Sequence, residues 1–253
     1  MKIIITGGAG YIGSHVVLSA LDRGYDVTVF DDLSTANKKN INLKTKFIKG
    51  SINSKRDLSK LFANDKYDAV IHLAGSKASG ESMLNPKKYA QNNIIGSLNI
   101  LTSCIDHHVK YFIFSSSAAV YGSPVYVPID ELHPMQPSSY YGYTKLSTEN
   151  SLKWFSEIHG LTYASLRYFN AAGFDVNKRI VGKEKNTENL IPLIMEVAKG
   201  IKPFVPIYGN DYSTKDGTGI RDYVHVSDLL ASKSFYFALV CFVIIQRIIK
   251  NRS

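Results

Sequence analysis

Tyr141 and Lys145 stand four residues apart in the stretch YYGYTK, at the start of a segment with helical periodicity. This spacing places both side chains on one face of a helix. A lysine cation beside a phenol favours the phenolate, so we expect the pKa of Tyr141 to be lowered towards working pH. Ser117 lies in the stretch SSSAAVYG after a predicted strand and can hydrogen-bond the same substrate oxygen. We therefore predict that these three residues move a proton.

Gly7, Gly10 and Gly13 are spaced three residues apart between a predicted strand at 2–6 and a predicted helix at 11–23. Glycine at a strand-to-helix turn allows a sharp bend, lets the backbone approach a ligand and lets the helix pack tightly on the sheet. The amide groups and partial positive charge of a helix N-terminus suit a pyrophosphate. The turn therefore predicts dinucleotide binding, although glycine-rich turns also occur without a ligand.

Asp31 and Asp32 follow a second predicted strand at 26–30, about 20 residues after the glycines. A carboxylate at this place can accept hydrogen bonds from a ribose 2′-hydroxyl, and it would repel a 2′-phosphate. The pattern therefore favours NAD over NADP as the cofactor.

The elements that must position these residues alternate between strand-like and helical runs. Further strands are predicted at 45–48, 69–73, 111–115 and 162–168, and further helices at 55–63, 87–106 and 141–159. This rhythm predicts an α/β fold with a doubly wound parallel sheet, in which ligands bind at the carboxyl ends of the strands. From about Asn170 the chain is richer in loops, prolines and glycines, which predicts a smaller lobe facing the substrate.

The composition sets limits on function. The 253 residues carry 30 Lys and Arg against 21 Asp and Glu, so the net charge is +9. These charges are spread along the chain, which suits anionic small molecules and does not require nucleic acid. Cys104 and Cys241 are too far apart to suggest a disulfide framework, and the histidines show no ligand spacing, so no metal is expected. With no signal peptide ahead of the first strand, we expect a cytoplasmic protein without a membrane partner.

Six stretches carry a resemblance to a known family. In chain order they are TGGAGYIGSH, HLAGSKASGES, FSSSAAVYG, YYGYTK, RYFNAAG and GNDYSTKDGTGIRDYVHVSDL, and they run from residue 1 to about Leu229. The chain resembles the extended short-chain dehydrogenase/reductase family, in particular its UDP-glucose 4-epimerase group. The resemblance implies that Tyr141 takes the proton of the sugar 4-hydroxyl while hydride passes from C4 to NAD, and that hydride then returns to the other face of the sugar.

The resemblance also implies binding residues. Besides the glycines, the NAD site would be lined by Tyr11, Ile12, Asp31, Asp32, Leu33, Ser34, Thr35, Ala36, Ser51, Ile52, Leu73, Ala74, Gly75, Ser76, Lys77, Asn93, Ser117, Tyr141, Lys145 and Phe169. The UDP-glucose or UDP-galactose site would use Ser117, Tyr141, Asn170, Asn189, Leu190 and Arg221, with Arg221 as a partner for the diphosphate. By the same likeness we expect a homodimer through the helices that follow strands four and five.

The implied organisation has three parts. Residues 1–169 would form the NAD-binding Rossmann domain, 170–229 a partial UDP-sugar lobe, and 230–253 an atypical apolar tail. The likeness ends where the tail begins, and its apolar run at 235–245 is shorter than the ~20 residues of a membrane span. Three explanations of this tail stay open. The preferred one is a frameshift or premature stop, followed by an adventitious buried helix and then by an anchor.

Departures from the family pattern leave alternatives open. Ser51 stands where the family usually has an aspartate that meets adenine, and we expect this to weaken the cofactor's binding. Ala118 and Ala119 stand where related sugar-nucleotide dehydratases carry an acidic pair, which argues against dehydration. The competing hypothesis is a non-catalytic NAD-binding remnant of an epimerase. The free-energy cost of losing lobe elements can exceed the ~5–15 kcal/mol by which a domain is stable.

Overall fold

The central feature of the computed structural model is a six-stranded parallel sheet, and the structure describes residues 1–63, 65–182 and 189–231. Its strands lie in the order β3-β2-β1-β4-β5-β6. Their bounds are β1 Lys2–Thr6, β2 Asp26–Asp31, β3 Lys46–Lys49, β4 Ala69–His72, β5 Tyr111–Ser115 and β6 Thr162–Leu166. All five neighbouring pairs are parallel. The predicted doubly wound parallel sheet is confirmed.

Helices connect these strands and cover both faces of the sheet. They are α1 Tyr11–Asp22, α2 Lys55–Phe62, α3 Ser79–Leu84, α4 Pro86–Tyr89, α5 Gly96–Asp106, α6 Tyr140–His159, α7 Leu190–Ala198 and α8 Val226–Ala231. A π-helical segment, Ala90–Ile95, joins α4 to α5, and short 3₁₀ turns lie at Lys38–Asn40 and Ala118–Val120. Ser139 caps α6 by accepting a hydrogen bond from the Gly142 amide at 3.2 Å, and Gly160 ends α6 in the left-handed conformation.

The core explains why β1 contains three consecutive isoleucines. Ile3 and Ile5 pack on one face of the sheet with α1, and Ile4 packs on the other face with residues of α2 and α5. A parallel strand that is covered on both faces needs apolar side chains at successive positions. The glycine turn that follows β1 is therefore held on a rigid, fully buried strand.

Two predicted elements differ from the structure by more than a residue at one end. The helix expected at 87–106 is not uniform, because the π-helical segment interrupts it between α4 and α5. The sixth strand ends at Leu166 and not at Tyr168, because its neighbour β5 ends at Ser115, the partner of Leu166. Beyond that point the Tyr168 carbonyl accepts a hydrogen bond from the Ala118 amide at 3.1 Å, so this stretch positions the loop after β5.

A second, two-stranded parallel sheet follows the main one. It pairs β7, Asn170–Ala172, with β8, Tyr223–His225, and α8 packs against α1. The Tyr11 hydroxyl donates to the Gly173 carbonyl at 2.6 Å.

The division of the chain at residues 169 and 229 stays a prediction, and the predicted tail lies outside the described residues from 232 onward. Among the described helices, none is long and apolar enough to cross a membrane.

Candidate active site

The glycine turn brings the end of β1 against the loop after β4. Gly7 has φ +70°, and a Cβ atom built on it would lie 2.7 Å from the Ala74 nitrogen. Gly13 packs on the Gly7 carbonyl so closely that a Cβ atom there would lie 2.1 Å from that oxygen. Gly10, which precedes α1, makes no side-chain cap, and the first turn of α1 holds no acidic residue. The N-terminus of α1 therefore keeps its positive potential for an anion.

Asp31 lies at the carboxyl end of β2, beside this turn. Its Oδ2 accepts a hydrogen bond from the Ala9 amide at 3.0 Å, and its Oδ1 accepts one from the Leu33 amide at 2.8 Å. Burial raises the pKa of this carboxyl group, and the two amides oppose the rise. A carboxylate has about four lone-pair sites, so each oxygen keeps capacity for one further donor.

The loop after β4 links the glycine turn to α6, the helix that carries Tyr141 and Lys145. The Ala74 amide donates to Thr6 Oγ1 at 3.3 Å, which ties the loop to β1. Asn93 Oδ1 accepts from the Ser76 amide at 2.8 Å, and its Nδ2 donates to the Ser76 carbonyl at 2.9 Å and to Thr144 Oγ1 at 3.0 Å. Asn93 belongs to the π-helical segment, and such segments are frequent at functional sites.

Tyr141, Lys145 and Ser117 come together next to this loop. The spacing of Tyr141 and Lys145 predicts their common helical face, and Ser117 follows β5 as expected. Ser117 hydrogen-bonds Tyr141. Lys145 Nζ donates to the Ser115 carbonyl at 2.8 Å and lies 5.7 Å from the centroid of the Tyr141 ring. The Tyr141 amide is fixed in turn by Ser82, whose hydroxyl accepts its hydrogen bond at 3.0 Å.

The pKa of Tyr141 corrects one expectation. Burial raises the pKa of this phenol above its ordinary value, and the hydrogen bond with Ser117 is the influence that lowers it. The prediction that Lys145 lowers the pKa of Tyr141 towards working pH is therefore wrong for the protein alone. Burial also lowers the pKa of Lys145 to about 8, which weakens the lysine as a permanent cation.

The remaining predicted cofactor residues lie at the carboxyl ends of β2, β3 and β4 or in the first turn of α1. Asp32 accepts from the Ser34 amide at 2.8 Å, and Ser51 Oγ accepts from the Asn53 amide at 3.2 Å. The others in this group are Tyr11, Ile12, Leu33, Thr35, Ala36, Ile52, Leu73, Gly75 and Lys77. Gly75 has φ +154°, and its position borders Asn93 Oδ1.

The predicted substrate residues form a looser group. Asn170 Nδ2 donates to the Asp222 carbonyl at 2.9 Å, so Asn170 and the neighbouring Arg221 lie on adjacent strand ends. Arg221 is exposed, and its Nη1 donates to the Ile220 carbonyl at 2.8 Å. The other two predicted substrate residues, Asn189 and Leu190, lie at the start of α7. Phe169, a predicted cofactor residue, is exposed just before β7. Within the part of the chain that the structure describes, no hydrogen bond or ion pair joins Asn189 or Leu190 to Tyr141.

Several residues around the site were missed by the sequence reasoning. Asn40 is buried, donates to the Ala9 carbonyl at 3.2 Å and accepts from the Gly182 amide at 2.7 Å, which holds residue 182 over the glycine turn. Glu149 and Arg167 form an ion pair near Lys145. No local pattern signals either contact, although Glu149 stands one helical turn after Lys145.

A parallel sheet with this strand order, a glycine turn after β1 and a Ser–Tyr–Lys cluster beside β5 defines the class of Rossmann-fold enzymes that act with a dinucleotide. The sequence profile of the NAD dependent epimerase/dehydratase family matches residues 3–236. The chain belongs to this family.

Known proteins with similar sequences and structures carry a narrower description. UDP-glucose 4-epimerase from Halalkalibacterium halodurans is 45% identical over 229 residues, which are 90% of this chain and 68% of that protein. The crystal structure of UDP-glucose 4-epimerase from Brucella ovis in complex with NAD aligns with a TM-score of 0.89 at 36% identity, covering 98% of this chain and 74% of that chain. The crystal structure of UDP-glucose 4-epimerase from Bifidobacterium longum in complex with NAD+ and UDP aligns with a TM-score of 0.87 at 36% identity. The alignment covers 91% of this chain and 72% of that chain.

Proposed function

We propose that this chain binds NAD and interconverts UDP-glucose and UDP-galactose by transient oxidation at the sugar C4. The observation that carries the proposal is the junction of the two halves of the site. Asn93 hydrogen-bonds both the loop that touches the glycine turn and Thr144 of the catalytic helix. The similarity to UDP-glucose 4-epimerases at 45% identity supports the choice of substrate.

The residues present fit a dinucleotide. The start of α1 has no side-chain cap, so its positive potential suits a pyrophosphate, and Asp31 offers carboxylate oxygens to a ribose. When bound, NAD supplies the reversible hydride acceptor for C4. The residues proposed to hold it are the glycines of the turn, those of the loops after β2, β3 and β4 named above, Asn93, Ser117, Tyr141, Lys145 and Phe169.

Proton transfer is assigned to the Tyr141 oxygen. Tyr141 takes the proton of the sugar 4-hydroxyl as hydride leaves C4, and it returns the proton when hydride comes back to the opposite face. Ser117 hydrogen-bonds the phenol and is placed to hold the same sugar oxygen. Burial raises the pKa of Tyr141. Lys145, whose Nζ lies 5.7 Å from the centroid of the Tyr141 ring, is the cation beside this phenol while it stays protonated.

The sugar nucleotide is proposed to lie between this cluster and the second sheet. Phe169 and Asn170 lie between the end of β6 at Leu166 and the smaller lobe, and Asn170 begins β7. Arg221 is exposed, and its guanidinium suits a diphosphate because it can bind two oxygens at once. Asn189 and Leu190, at the start of α7, are assigned to the same ligand.

The experiment is to measure conversion of UDP-galactose to UDP-glucose by the purified chain while quantifying NAD in the same sample. Conversion with about one NAD per chain supports the proposal. A folded chain that holds NAD and converts neither sugar contradicts the catalytic part of it. Release of a 4-keto-6-deoxy product would instead identify a dehydratase, a reading that Ala118 and Ala119 disfavour because neither side chain can protonate a leaving hydroxyl.

A second candidate is cofactor binding without turnover, and α7 is the observation that favours it. This helix buries none of its side chains among the described residues, and Leu190, Ile191, Ile194 and Met195 are all exposed. A lobe that leaves an apolar helix uncovered holds its substrate residues loosely. The conversion assay separates the two candidates, because this one retains NAD and shows no product.

We further propose a homodimer through the helices that follow β4 and β5. Trp154 and Ile158 are exposed on one face of α6, and Ile95, which leads into α5, is exposed as well. Sedimentation velocity should show a dimer that Trp154→Glu dissociates and Lys153→Glu preserves, and a folded wild-type monomer would contradict this. A cytoplasmic location and the absence of nucleic-acid partners stay predictions.

A further inference from the structure

A buried ion pair lies directly beneath the catalytic cluster. The Glu149 side chain is 8% exposed, and both of its oxygens accept hydrogen bonds from Arg167 Nε, at 3.0 and 3.1 Å. Arg167 Nη2 donates to Oε2 at 2.6 Å, and the Ser116 hydroxyl donates to Oε1. The carboxylate is therefore saturated by donors from two other segments of the chain.

These contacts clamp the loop after β5. Ser116 begins that loop, and Arg167 Nη1 donates at 3.0 Å to the hydroxyl of Tyr121, which directly follows the 3₁₀ turn at Ala118–Val120. The Arg167 guanidinium also lies 5.1 Å from the centroid of the Tyr121 ring. Between these two anchors the loop carries Ser117, and just before them stands Ser115, whose carbonyl accepts the hydrogen bond from Lys145.

Glu149 also stands one helical turn after Lys145, on the same face of α6. Its negative charge favours the lysine cation and opposes the lowering of the pKa of Lys145 by burial. The other ionisable groups that face Lys145 are Tyr141, on its own helix, and His72 from β4, and burial keeps both of these neutral near pH 7.

Stability alone does not account for this arrangement. The Glu149 carboxylate is buried while the Arg167 side chain is 19% exposed, so the carboxylate bears a desolvation cost that offsets part of the attraction between the two charges. Glu149 lies on α6, which carries Lys145, and Arg167 lies just after β6, in the chain that leads to Phe169. Through Ser116 the pair also contacts the loop after β5, which carries Ser117.

We propose that Glu149 is a positioning residue of the active site: held by Arg167 and Ser116, it fixes the loop that carries Ser117 and supplies the negative charge that balances the Lys145 ammonium. This rests on the proposed function, because Lys145 acts there as the cation beside Tyr141. Glu149 touches neither the sugar nor the cofactor in this proposal and acts through its neighbours.

The test follows the protonation of Lys145 by NMR. The ¹³Cε shift of Lys145, assigned with Lys145→Met, is titrated in the wild type, in Glu149→Gln and in Glu149→Asp. The matched control is Glu157→Gln, which removes a carboxylate from an exposed position two turns further along α6. Wild type and Glu157→Gln should titrate near pH 8, Glu149→Asp close to them, and Glu149→Gln roughly one pH unit lower.

An unchanged midpoint in folded Glu149→Gln overturns the proposal. If this variant does not fold, Glu149→Gln with Arg167→Met removes both partners, and a smaller fall in the midpoint is expected, because loss of the Arg167 cation partly offsets loss of the carboxylate. In the conversion assay, Glu149→Gln should lower kcat with little change in KM and move the alkaline limb of the pH profile to lower pH. A wild type without conversion would remove the proposed function, while the titration would still judge the role of Glu149.

Discussion

Gly13→Ala tests whether the close packing at the glycine turn is required. A methyl group here would lie 2.1 Å from the Gly7 carbonyl oxygen and 2.8 Å from the Gly8 Cα. Both contacts are with backbone, so α1 must move away from the turn by about 0.9 Å to reach even 3.0 Å from that oxygen. Overpacking of this kind costs about 1–3 kcal/mol in unfolding free energy, and it exceeds the ~1 kcal/mol that alanine normally gains over glycine in a helix.

The assay is urea unfolding together with NAD binding measured by fluorescence. Gly80→Ala is the matched control, because Gly80 also lies in a helix and a Cβ atom there would meet nothing within 4 Å. We expect Gly80→Ala to match or exceed the wild-type midpoint, and Gly13→Ala to fall below it and lose NAD affinity. If Gly13→Ala were as stable as Gly80→Ala and bound NAD as the wild type does, the turn would not be the packed cradle described above.

Three further predictions concern the site and its supports. Ser117→Ala removes the hydrogen bond that lowers the pKa of Tyr141, so the acid limb of kcat/KM should move to higher pH; an unmoved limb would exclude this role. Asn40→Ala leaves two buried backbone groups unpaired and should cost about 1–3 kcal/mol in urea unfolding, and a loss below the measurement error would contradict that. Burial lowers the pKa of His72 to about 3, so the unfolded chain binds more protons below about pH 6.5 and stability should fall as pH drops from there; equal urea midpoints at pH 7 and pH 5 would refute it.

The sequence predicted those parts of the fold that depend on local patterns. The isoleucines of β1, the glycine spacing and the carboxylate at the end of β2 define a strand, a turn and a second strand without reference to the rest of the chain. The four-residue spacing of Tyr141 and Lys145 predicted their common helical face in the same way. These positions follow from backbone periodicity, which the chain carries within a few residues.

The remainder depends on tertiary contacts. The π-helical segment around Asn93 has the same apolar pattern as an ordinary helix, so its geometry could not be read from periodicity. The pairing of Glu149 with Arg167 joins residues 18 positions apart, and the contact of Asn40 with Gly182 spans 142. The pKa of Tyr141 was mispredicted because spacing reveals the neighbouring lysine and does not reveal the burial that outweighs it.

The most direct test of the central claim is the rate of UDP-galactose conversion by Tyr141→Phe, compared with Tyr143→Phe two residues further along the same helix. Tyr143 is 50% exposed and has no assigned part in the reaction, so its variant controls for loss of a phenol hydroxyl from α6. Removing a proton-transfer group typically costs about 10²–10⁴-fold in rate. The account predicts a loss of this size in kcat for Tyr141→Phe with NAD still bound, and a near wild-type rate for Tyr143→Phe. Full activity of Tyr141→Phe would contradict it.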